Sequence, residues 1–297
     1  MHPYQTLRLA LGLILAGLWL AQPALAQSNA DLQKQIRDAV KTIQAIEAQE
    51  KRDKDLSLGR EVYKAACMTC HGLKGNGKGP SAKWLDPRPR DFTSGIYKWR
   101  TTPYGKLPLE EDIERTIREG VSGTDMFPFG EILSHKSRLA VARYIMHFSS
   151  QFDDPDTANP EPVLIFPLKR PFPPSEASAA KGKTLFATKG CNACHGNEGE
   201  GDGIAGGALV DSWGYPIKPW DFTLGYYKSG ANDADLFRTI TTGPFGTPMP
   251  GYGPMTSEAE RWNLVDYIRS LSKRQSGIIT YLLREEPSGR VYREPAR

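Results

Sequence analysis

The chain has 297 residues, with 38 Lys and Arg against 34 Asp and Glu and 39% apolar residues. That length suits about two ordinary domains, each with its own core, and the composition is that of a globular protein, neither disordered nor spanning a membrane repeatedly. Residues 56–150 carry 15 Lys and Arg against 10 Asp and Glu, while residues 175–273 carry 9 against 11. A basic excess this diffuse does not suit nucleic acid but could orient an acidic protein partner.

The chain opens with a weakly basic stretch, an apolar run from Leu9 to Ala21 and the small-residue site Ala24-Leu25-Ala26. This reads as a signal peptide over 1–26, exporting the protein to the periplasm. An uncleaved anchor is the alternative, and the run is short for a spanning helix. Residues 27–55 form an amphipathic helix, with Leu32, Ile36, Ala39, Ile43 and Ile46 spaced three and four apart. That stripe could lie on the protein itself or pair with another chain.

The rest of the chain repeats itself. Cys67-Met-Thr-Cys70-His71-Gly72 returns 124 residues later as Cys191-Asn-Ala-Cys194-His195-Gly196, and each copy is followed by the same ladder of glycines. Asp91-Phe92-Thr93 and Tyr97-Lys98 return as Asp221-Phe222-Thr223 and Tyr227-Lys228, and Gly123-Thr124-Asp125-Met126 returns as Gly246-Thr247-Pro248-Met249. One domain is written twice, over 56–150 and 175–273. Each copy has a helix before the cysteines, a second helix (110–119; 233–241) and a closing helix (137–148; 257–271). No stretch alternates strongly enough for a strand, so the fold is mostly α. Between the copies, 151–174 holds seven prolines and reads as a stiff linker, of which Val163 to Phe166 is apolar enough to strap across a surface. A basic tail over 274–297 ends the chain.

Cys-x-x-Cys-His is the attachment signature of c-type haem, with two thioether bonds to the ring and the histidine on iron. Zinc would require two related domains to share one metal while each left a histidine unused, and a thioredoxin-like pair would need a βαβ pattern that is missing. The repeat therefore predicts two covalent haem c groups, held by Cys67, Cys70 and His71 and by Cys191, Cys194 and His195. The glycines after each histidine follow no strand, which disfavours a phosphate cradle; they let the backbone turn closely around the haem edge.

On these motifs the chain resembles tandem dihaem cytochromes of the class I c type over 56–150 and 175–273, and more loosely the dihaem cytochromes that serve periplasmic oxidoreductases. The resemblance implies two cytochrome c domains and a helix crossing of Gly59 with Tyr144 and of Gly182 with Tyr267. It also implies a methionine as sixth ligand on the loop before the closing helix. The repeat selects the same residues independently, since Met126 falls on Met249 in a shared Gly-Thr-x-Met context, whereas Met146, His135 and His147 fall on Arg269, Glu258 and Ser270 and Met255 looks back to Ile132. Met68, between the cysteines, reads as incidental. Tyr97 and Tyr227, or Trp84 and Trp220, could offer donors to the haem carboxylates.

Two His/Met-ligated irons leave no open position, so the chemistry reduces to gaining and losing one electron. The expected role is a periplasmic electron carrier between a respiratory donor and an acceptor such as a terminal oxidase, without catalytic residues of its own. The alternatives are a dihaem enzyme such as a cytochrome c peroxidase, with one open haem, and a fixed haem subunit of a larger oxidoreductase complex.

Overall fold

The computed structural model describes residues 29–272; the expected signal peptide and basic tail lie outside them. Two compact units divide the chain, one ending at Asp53 and one starting at Lys54. Among the described residues the structure is helical, with isolated bridges such as Asn76 with Asp91 and no named strand. No helix among them is long and apolar enough to cross a membrane.

The first unit holds most of a helix, α1 (Asn29–Ala66), in which Leu32, Ile36, Val40 and Ile43 are exposed. The sequence suggests two helices here, one for the amphipathic segment and one before the cysteines; the structure has one. Its charged middle, Lys51 to Asp55, contains neither glycine nor proline, and nothing in it breaks an α-helix.

The second unit contains both halves of the repeat. The first half has α2 (Met68–His71), α3 (Glu110–Glu119) and α4 (His135–Met146); the second has α5 (Glu176–Thr188), α6 (Cys191–His195), α7 (Asp233–Thr242) and α8 (Glu258–Leu271). Each closing helix crosses the helix before the cysteines at a glycine, because only a glycine permits the backbones to come so close. A Cβ on Gly59 would stand 2.1 Å from the Ala140 carbonyl oxygen and 2.9 Å from Tyr144 Cβ. At Gly182 the distances are 2.0 Å to the Asn263 oxygen and 2.7 Å to Tyr267 Cβ. Both expected crossings are present.

Two apolar cores result. The first gathers Tyr63, Phe92, Tyr97, Ile113, Ile117, Phe129, Val141, Ala142 and Ile145; Met68, expected to be incidental, packs against it. The second gathers Phe186, Phe222, Phe237, Trp262 and Val265, and takes Leu164 from the linker. The linker is thus structural. Backbone N–H groups of Val163 and Leu164 donate to the Thr101 carbonyl at 2.8 and 3.2 Å, Phe166 lies 4.1 Å from the Arg115 guanidinium, and Arg170 pairs with Asp233 at 3.0 Å and with Asp266.

Buried Arg100 joins the two halves. Its guanidinium donates to the carbonyls of Thr242 at 2.8 Å, Gly243 at 3.0 Å and Pro103 at 3.1 Å. The contacts across this seam are reciprocal. Gly123 lies under Tyr226 and Trp220, and its repeat partner Gly246 lies under Ile96, the counterpart of Tyr226.

Candidate functional site

Cys67 closes the end of α1, and Cys70 and His71 follow on the single turn of α2, so one short helical segment aims both thiols and the imidazole at the same space. That space is a cavity of about 180 Å³, lined by Cys67, Cys70 and His71 on one side and by Met126 on the loop between α3 and α4. Phe92, Ile113, Ile117, Phe129 and Ile145 supply apolar wall. His135 and His147 are exposed and do not line it, and half-buried Met146 packs against the core without lining it.

Each histidine is oriented in the same way. His71 Nδ1 lies 3.0 Å from the Arg90 carbonyl, and His195 Nδ1 lies 3.1 Å from the Trp220 carbonyl. A ring whose Nδ1 proton is held by a backbone oxygen presents its Nε2 lone pair, as second-shell partners of ligating histidines do. Because the acceptor is backbone, the side chain there is free to differ, and Arg90 corresponds to Trp220. The imidazoles stack on Phe92 and Phe222, with centroids 4.5 Å apart in both copies. Burial pushes both histidines below their ordinary pKa, which keeps them in the neutral form a metal requires. Burial, with Cys70 adding to it, raises the Cys67 thiol to about 12. All four cysteines are free of disulfides.

The glycine ladder holds these segments in place. Gly77 and Gly79 donate to the carbonyls of His71 and Cys70 at 2.9 and 3.1 Å, Gly201 and Gly203 repeat this on His195 and Cys194, and Phe92 and Phe222 donate to Gly75 and Gly199 at 2.7 Å. The ladder folds back on the cysteine segment rather than simply clearing room beside it.

The methionine loops are tied at three points. Thr124 Oγ1 donates to the Val121 carbonyl at 2.8 Å and receives the Met126 N–H at 3.2 Å; Thr247 does the same between Pro244 and Met249 at 2.8 and 3.3 Å. Phe129 and Tyr252 return to α3 and α7 through the carbonyls of Ile117 and Ile240 at 3.0 and 2.8 Å. From the closing helix, Arg138 donates to the carbonyls of Gly130 and Leu133, and Arg261 to those of Gly253 and Thr256. Sequence reasoning missed these arginines, although they stand at the same 123-residue offset as the methionines.

Of the four aromatic donors, Tyr97 alone fits the suggested role. Its hydroxyl is buried, has no partner and belongs to a cavity-lining side chain. The Tyr227 hydroxyl is bonded toward α8 and its end, the Trp220 indole donates to the Tyr226 carbonyl at 2.6 Å, and Trp84 is 78% exposed. Arg90 and Lys98 also line the cavity. Burial, the Arg90 guanidinium and the Lys228 ammonium together bring Lys98 down to about 7. An apolar slot with two thiols, an oriented imidazole, a thioether and an unsatisfied donor beside two cations fits a haem carrying two carboxylates. Among the described residues there is no cluster of three or more His, Cys, Asp or Glu suited to a bare metal ion.

Comparison with known proteins agrees with this reading. Residues 179–272 match the family model for cytochrome c, and residues 54–145 match that for cytochrome c oxidase, cbb3-type, subunit III. The cbb3-type cytochrome c oxidase subunit FixP of Azorhizobium caulinodans is 28% identical over 271 residues, covering 86% of this chain and 75% of that protein. The CcoP subunit of Helicobacter pylori is 30% identical over 150 residues, which are 49% of this chain and 39% of that protein. A chain of the Kuenenia stuttgartiensis reducing HAO-like protein complex superposes with a TM-score of 0.68 at 42% identity, covering 73% of this chain and 96% of that one.

Proposed function

Because the chain belongs to the tandem dihaem class I c-type cytochromes, we propose that it relays single electrons through two haems ligated by His71 with Met126 and by His195 with Met249. Covalently bound haem c supplies the one-electron chemistry. Cys67, Cys70, Cys191 and Cys194 anchor the groups. Arg90 and Trp220 carbonyls keep the imidazole lone pairs turned inward, and Thr124, Thr247, Arg138 and Arg261 hold each methionine loop at a fixed depth. The observation that carries the reading is the duplicated site: two histidines with the same backbone acceptor geometry and two methionines on identically tied loops. If His71 with Met126 and His195 with Met249 hold the two haems, neither would be left open for a substrate, which speaks against the peroxidase alternative.

The setting is the periplasm, reached through the signal segment. By name the relatives are subunits of cbb3-type cytochrome c oxidases or belong to a reducing HAO-like protein complex, and this supports a partner that is itself a redox complex, with the chain docked on it as an electron-transfer subunit. The basic first half would meet an acidic partner surface, so its rate of reaction with that partner falls as salt rises; a salt-independent rate rules the steering out.

The optical spectrum of the purified holoprotein tests the ligation. A ferric methionine-to-iron band accounting for both haems, with a ferrous spectrum indifferent to carbon monoxide, is the expected result. A haem that binds carbon monoxide readily would be open, and the enzyme reading would replace the relay.

A further inference from the structure

The two halves share ligands but differ beside them. At the position whose carbonyl orients the histidine, the first half has Arg90 and the second has Trp220. The first half adds Lys98 and the unpartnered Tyr97 hydroxyl, all three side chains lining the same cavity. In the second half Lys228 is retained, but the Tyr227 hydroxyl is bonded elsewhere and the Trp220 N–H is spent on the Tyr226 carbonyl. Arg90 is also fixed in place, with its guanidinium 4.1 Å from the Trp213 ring of the second half. The carboxylate of Asp211 lies close enough to bear on both Arg90 and Lys98 and offsets part of their charge. Arg88, which donates to the Ala82 carbonyl, and the carboxylates Asp112 and Asp125 line the same cavity, and Asp91 also bears on Arg90. Arg90 stays charged at neutral pH, Lys98, brought down to about 7, is charged in part, and the Tyr97 hydroxyl is free to donate. At the three matching positions of the second half, Trp220, Tyr227 and Lys228, Lys228 alone is a cation, and Asp86 bears on it.

Resting on the two-haem reading above, we infer that Arg90, Lys98 and Tyr97 make the first domain the stronger electron acceptor, so that an electron entering the chain settles there. Reduction adds one negative charge to a haem site, and fixed cations and donors in a low-dielectric wall stabilise that charge. The transfer balances as one electron leaving the second domain's ferrous iron, which becomes ferric, and reducing the first domain's iron from ferric to ferrous. No proton needs to move. These three are tuning residues rather than ligands, and the Arg90 contribution is separable from its backbone role because Arg90→Gln keeps the carbonyl that holds His71.

The test is a spectroelectrochemical titration of the full-length holoprotein, with haem counted per chain. The native protein should show two one-electron waves. Arg90→Gln should move the upper wave down by about tenfold in its equilibrium, about 59 mV for one electron, and leave the lower wave in place. Arg90→Lys should restore most of the loss. Tyr97→Phe, which removes only a hydroxyl that bonds nothing in the protein, should move the same wave the same way by less, and serves if Arg90→Gln fails to fold. Movement of the lower wave, or of neither wave in both variants, overturns the inference while leaving the two-haem reading intact. A chain carrying fewer than two haems overturns both.

Discussion

At the scale of single residues the repeat separates the proposed ligands from look-alikes. Both methionines pack half-buried against the core of the first half, but Met126 alone lines the cavity, so substituting each to alanine should give opposite spectra. Met126→Ala should remove about half of the ferric methionine band and open one haem to carbon monoxide, whereas Met146→Ala, at a half-buried position, should cost stability, about 1–2 kcal/mol, with the band unchanged. A full band in Met126→Ala would remove that residue from the ligand set. Gly59 gives a second contrast. Its added Cβ would overlap the Ala140 carbonyl at 2.1 Å, a backbone atom that cannot turn aside, so Gly59→Ala should destabilise the first domain by at least about 1–3 kcal/mol. Gly105, whose Cβ would meet nothing within 4 Å, controls for glycine loss as such, although its positive φ adds a small strain of its own. Equal melting temperatures for the two variants would refute the crossing as the cause.

Among the elements, those with a local signal were legible in the sequence. The second helix of the first half starts and stops at the expected residues, because Glu110, Glu111 and Asp112 favour an N-terminus and Gly120, at φ 65°, ends it. The closing helix of the second half begins at Ser257, whose hydroxyl accepts from the Glu260 N–H while Glu260 reaches back to Ser257. This is a capping box, and Ser257→Ala should cost about 1 kcal/mol, visible as a lower melting midpoint with both haem spectra intact; no change would mean that tertiary packing alone fixes this helix end. The junction at residues 51–55 was misread because a charged, unbroken stretch looks the same in a surface linker and in a helix. The residues proposed to hold haem were singled out through duplication, since a thioether in the same loop context twice needs a shared cause. Arg138 and Arg261 escaped because a buried arginine bonded to carbonyls has no motif, and only the offset could have exposed them.

For the whole molecule, the part that sequence could not supply is the seam. Arg100 reaches carbonyls 142 and 143 residues away, and no periodicity or local spacing encodes such a pairing. Its importance follows from burial: the guanidinium is fully enclosed, and Thr242 and Gly243 lie at the end of α7, where helix carbonyls lack partners within the helix. Arg100→Met would keep the apolar stem but leave those oxygens unpaired, at about 1–3 kcal/mol each. For a unit of this size that is a fall in melting temperature of roughly 4–24 °C. The linker should respond as well, since Val163 and Leu164 hang from the carbonyl of Thr101, the next residue. Limited proteolysis should then cut faster within 151–174, while the spectrum of each haem, set by ligands inside its own half, stays native. If cleavage and melting are both unchanged, the halves are joined by the reciprocal glycine contacts and the linker without help from Arg100. If the spectrum of either haem changes instead, the seam is part of the ligand geometry and the two halves do not behave as separable haem domains.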